Sequence, residues 1–178
     1  MQQLPIRIPF LVPLTKEDKT SEKVAYLYNS YKEYRFNAVR NALPELEKYY
    51  NSFSPRNYHI PYPLFLLSNM YILNCNFDLA LKCLQVCEKD LNENQHISPQ
   101  YYQFAVYNNM GLIYEIESEF ERAHEFYQKA LEIIKDRPSF SDDIINHATC
   151  EINKNIALCY QRQQQYKKCQ DKYELVFQ

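Results

Sequence analysis

The chain has 178 residues, 46% hydrophobic and 24% charged, with 20 Lys+Arg against 22 Asp+Glu. That length and balance suit one domain, or two small ones, and lack the overall positive field that duplex nucleic acid requires. The single glycine of the chain argues against phosphate-cradling loops, dinucleotide turns and tight strand hairpins, and so against nucleotide-binding α/β enzymes, because these need glycine at positive φ or at close backbone approach.

Residues 1–19 read as an extended Pro-rich arm. Pro5, Pro9 and Pro13 recur every four residues and Arg7 interrupts the apolar run, so no helix, secretory signal or membrane span fits there. From Thr20 onward apolar residues recur at three- and four-residue spacing, which predicts an all-α chain of eight helices over 20–34, 36–51, 62–74, 77–93, 99–117, 120–136, 141–162 and 166–178. Pro44 falls inside the second, which either kinks there or starts late with Pro44 in its first turn. Ser98-Pro99 and Ser141-Asp142-Asp143 are start signals, with acceptors and negative charge at a helix amino end. Short connections between paired helices imply antiparallel hairpins.

One pattern recurs along these helices. Tyr107, Met110, Gly111, Tyr114, Ala123, Tyr127 and Ala130 form a frame that returns 43 residues earlier as Leu64, Leu67, Ser68, Tyr71, Ala80, Leu84 and Cys87. It returns 46 residues later as Asn153, Ile156, Ala157, Tyr160, Cys169, Tyr173 and Val176. Small residues at Gly111 and Ala123 suit a close helix crossing, and Tyr114 and Tyr127 are expected to fill the space between hairpins. The frame resembles the tetratricopeptide repeat in a long-repeat variant, since the family unit is about 34 residues. Repeats are expected over 62–97, 98–138 and 141–178. A degenerate pair over 20–61 is suggested by Phe36, Val39, Leu43 and Leu46, which echo Phe77, Ala80, Leu84 and Cys87.

The resemblance implies an α-solenoid of antiparallel hairpins wound as a right-handed superhelix, with a concave face that receives peptides. On that geometry the groove is lined by Phe65, Asn69, Asn108, Asn109, Leu112, Lys154, Asn155 and Leu158, with Ile72, Glu115 and Gln161 at neighbouring places. The modules of this family that clamp a chaperone's C-terminal carboxylate carry cations where Phe65, Glu151 and Asn155 stand here, so that particular ligand does not fit. The asparagines leave two readings: their amides meet an extended peptide backbone, or they bond their own scaffold.

Other constellations suit plainer roles. Cys83-x3-Cys87 and His147-x2-Cys150 lie within helices rather than on the turns that structural zinc favours, and no cysteine-hydrolase signature surrounds any of the six cysteines. Cys87 and Cys169 take the places of Ala130 and Ala123, as small core residues do. His124 is expected to be solvated between Glu121, Arg122 and Glu125, as are the acidic run Glu115, Glu117, Glu119, Glu121 and the basic cluster Arg162, Lys167, Lys168, Lys172. The expectation is therefore a cytoplasmic, non-enzymatic module with reduced thiols, no metal or cofactor, and another protein or a peptide as partner, not nucleic acid or membrane. The alternatives are a peptide-sensing regulator resembling pheromone receptors and a chaperone of the secretion type.

Overall fold

The computed structural model of the chain describes Pro44 and residues 62–93, 101–136 and 141–176. Six helices make up the described residues, which contain no strand: α1 (Tyr62–Leu73), α2 (Phe77–Glu93), α3 (Tyr101–Ile116), α4 (Phe120–Lys135), α5 (Asp142–Arg162) and α6 (Tyr166–Glu174). Each starts or ends within a few residues of the range its periodicity predicts. The helices expected over 20–34 and 36–51, the Ser98-Pro99 start and the arm over 1–19 lie outside the described residues, except that Pro44 is helical and exposed. Ser141 stands at the N-cap of α5, yet its side chain makes no capping bond. Its carbonyl accepts from the Ile145 amide at 3.0 Å, and Asp142 and Asp143 supply the negative charge that favours a helix amino end.

Two compact units divide the chain, residues 1–99 and 100–178. In the first, α1 packs on α2. Helix α1 is apolar on nearly every side and buried from Leu64 through Ile72, as a helix without a polar face must be. Helix α2 is amphipathic, burying Ala80, Leu84, Cys87 and Leu91 along one stripe. In the second unit α3 packs on α4, α4 on α5 and α5 on α6, and α3 also touches α5. Helix α3 is buried on all sides from Phe104 to Glu115, whereas α4 buries only the stripe Ala123, Tyr127, Ala130, Leu131 and Ile134.

All three hairpins turn in the same way. In the first, the Asn76 amide donates to the Tyr71 carbonyl at 2.8 Å and the Cys75 amide to Ile72 at 3.0 Å. The Glu119 amide donates to Tyr114 at 2.8 Å and Ser118 to Glu115 at 3.0 Å in the second, and Gln165 to Tyr160 at 2.9 Å and Gln164 to Gln161 at 3.0 Å in the third. Each ladder closes with an amide of the following helix (Ala80, Ala123 or Cys169) donating back to the turn residue at 3.0 Å. These long returns satisfy carbonyls that a helix end leaves open and require one left-handed residue. That residue is Cys75 (φ 59°), Ser118 (φ 66°) and Gln164 (φ 59°) in turn. Glycine scarcity therefore does not mean an absence of positive φ here: three of the described residues accept the steric cost of a Cβ.

The one glycine serves a different purpose. A Cβ on Gly111 would lie 2.7 Å from both Cδ1 and Cε1 of Tyr127 and 3.2 Å from the Ala123 carbonyl, so α3 and α4 cross at a distance only a bare Cα permits. Tyrosines of the frame serve both within hairpins and between them: Tyr160, the counterpart of Tyr114, meets His124 of the preceding hairpin. Tyr127 packs within its own hairpin, against Gly111, and Tyr114 stacks on Phe126 of the same hairpin at 5.3 Å and 12°. The frame positions Leu64, Leu67, Ser68, Tyr71, Ala80, Leu84 and Cys87 of the first hairpin are all buried, as are Asn153, Ile156, Ala157 and Cys169 of the last, where Tyr160, Tyr173 and Val176 are half-buried.

Candidate functional site

Of the eight groove residues inferred from the sequence, Phe65, Asn69, Asn108, Asn109 and Leu112 are buried. Lys154 is exposed, and Asn155 and Leu158 are half-buried. The asparagines of the second unit engage each other. The Asn155 amide donates to the Asn108 Oδ1 at 2.9 Å, and Asn108 Nδ2 donates to Asn109 Oδ1 at 3.2 Å. The line of amides thus runs from α5 into α3 and ties the two helices together. What stays accessible is a strip of α5, with Lys154 held by Glu151 through Nζ to Oε2 at 2.8 Å.

Beside this strip lies a polar joint for which the sequence carried no local signal. Glu115 is 1% exposed and is not part of a solvated acidic run. Its Oε2 accepts from the Tyr127 hydroxyl at 2.9 Å, and its Oε1 lies 3.5 Å from Nη1 of Arg162. Arg162 is likewise not a solvated end. Its guanidinium donates to the carbonyls of Glu115 and, at 3.5 Å, Ile116, and it lies over the Phe120 ring at 5.4 Å. An arginine from α5 thereby covers the open carbonyl end of α3, where a cation is favoured by the helix dipole. Both oxygens of the buried Glu115 carboxylate are engaged, as a buried charge demands.

His124 departs from expectation in the same direction. It is half-buried at the seam between α4 and α5, its ring 4.3 Å from that of Tyr160. Its Nε2 lies 3.0 Å from the Gln163 amide nitrogen and 3.6 Å from the Cys159 sulfur. Burial, then Lys168, lower its pKa from the ordinary 6.5, Glu121 opposes the shift and Lys172 adds to it; the imidazole is neutral at neutral pH.

None of the six cysteines forms a disulfide. Burial pushes the Cys87 thiol up, with Cys83 and Asp90 adding to the effect, so Cys87 behaves as the small core residue its frame position implies. Among the described residues no group of three or more His, Cys, Asp or Glu is placed to hold a metal ion. Nor is any helix of the described residues long and apolar enough to cross a membrane. Asn153 is buried where Tyr107 stands in the preceding repeat, and its Oδ1 has no hydrogen-bond partner. No protein-family model matches the chain, and no curated protein matches it.

Proposed function

We propose that the chain is a long-repeat member of the tetratricopeptide type, a solenoid of stacked helix hairpins that binds a peptide or helix of another protein and performs no chemistry of its own. The observation that carries the reading is the turn: one ladder of amide-to-carbonyl bonds and one left-handed residue recur at the same frame position in three hairpins, as a structural repeat requires. The burial of the seven-residue frame through the first two hairpins supports the same reading.

Ligand contact on this account runs along α5, because its residues are the accessible part of the inferred groove. Lys154 offers a charge and Leu158 an apolar contact, while the Asn155 amide between them is taken by Asn108. Peptides selected from a display library against the full chain provide the test. Paired Lys154→Glu and Leu158→Asp substitutions should weaken the selected peptide at least tenfold, while Glu132→Lys on the exposed side of α4 leaves it unchanged. Equal affinity in all three proteins would move binding off α5.

A further inference from the structure

We propose that the seam joining α4 to the α5–α6 hairpin is a proton-operated contact, closed while the His124 imidazole is neutral and loosened when acid protonates it. The geometry is that of an acceptor hemmed in by donors. Gln163 stands 3.0 Å from Nε2 with its amide nitrogen, and the same nitrogen reaches the Cys159 carbonyl at 3.4 Å. Its orientation is held from the other end, where Gln165 Nε2 donates to Gln163 Oε1 at 3.0 Å. A neutral ring accepts from this fixed amide. A protonated ring presents a second N–H to it, and two donors face each other across the seam.

Burial and the two lysines of α6 act in the same sense. From α5 it meets Cys159 and Tyr160. From α6, Lys168 sits over the Tyr160 ring at 5.4 Å, and both Lys168 and Lys172 oppose a positive charge on His124. Helix α4 itself contributes Glu121, which favours the charge; Glu121 and Lys168 are both exposed and so both screened by salt, which leaves burial as the largest cause. Helix α3 packs on the Ala123–Tyr127 face of α4, and its Glu115 carboxylate is taken by Tyr127 and Arg162. Burial and the two lysines hold the His124 pKa below 6.5. A base whose folded pKa is depressed lends its full stability above its unfolded value and loses it as pH falls from there through the folded midpoint.

The test compares urea unfolding of the full chain at pH 7.5 and pH 5.0 with that of His124→Gln, which keeps a neutral polar side chain, and of His147→Gln, an exposed control. Wild type and the control should lose folding equilibrium on acidification relative to His124→Gln, by up to tenfold for each pH unit separating the folded and unfolded midpoints of His124. An NMR titration of the wild-type imidazole keeps the proposal testable if His124→Gln fails to fold. A His124 midpoint below 6.5, shared by the Gln163 side-chain amide, supports the proton-operated seam. A midpoint at or above 6.5, or acid sensitivity undiminished in His124→Gln, overturns it.

Discussion

Replacing Gly111 with alanine sets two known effects against each other. In an open helix the change stabilises by about 1 kcal/mol, because glycine is the poorest interior residue after proline. Here the new methyl arrives 2.7 Å from two carbons of the Tyr127 ring and 3.2 Å from the Ala123 carbonyl. The ring is completely buried and tethered through its hydroxyl to Glu115 at 2.9 Å. Either the helices separate, an overpacking cost of about 1–3 kcal/mol, or the ring turns and gives up a hydrogen bond to a charged group, about 1.5–3 kcal/mol. The net expectation is destabilisation by up to about 2 kcal/mol, which lowers the melting temperature of a chain this size by up to roughly 8 °C.

Urea unfolding followed by circular dichroism measures this directly. Tyr127→Leu supplies the second background, since the first hairpin already pairs Ser68 with Leu84 at these two places. In that background the cost of Gly111→Ala should fall to near zero or reverse. A raised midpoint for Gly111→Ala alone, or the same cost in both backgrounds, would refute the close crossing of α3 and α4.

Three further expectations follow from the same packing. Arg162→Ala strands the Glu115 carboxylate and uncovers the end of α3; it should cost about 2–4 kcal/mol, toward the low end of a broken buried pair because Arg162 is 19% exposed, and a loss under 0.5 kcal/mol in chemical denaturation would mean the joint carries no weight. Asn153→Leu replaces an acceptor that has no partner with the residue found at the equivalent Leu64, and should raise the unfolding midpoint by about 1 kcal/mol; a lower midpoint would show that the amide is paired. Ser118→Gly and Gln164→Gly remove a Cβ from a left-handed residue, and each should be neutral to stabilising by about 1 kcal/mol, whereas the same change at Glu132 within α4 should destabilise by about the same amount.

Helix boundaries were legible because each described helix carries apolar periodicity up to a turn, and the repeat frame because it recurs at fixed offsets. Gly111 and Ala123 were readable as a close crossing for the same reason. Partners across helices were not. Glu115 sits in a run of alternating glutamates, and only a residue 47 positions away, Arg162, reveals that it is buried and paired. His124 lies among charged neighbours in sequence while its actual surroundings, Tyr160 and Gln163, come from the next hairpin. The asparagines illustrate the limit most plainly: an amide that bonds its own scaffold and one that meets a peptide have the same letter and the same register, and only the Asn155–Asn108 bond separates them.

The central claim is that this scaffold receives a peptide along α5. Hydrogen exchange of the full chain, with and without a saturating display-selected peptide, tests it most directly. Slowed exchange concentrated in Glu151–Gln161, with the α4 amides on the Glu132 side unchanged, is the predicted result. Protection elsewhere with none in α5 would contradict it.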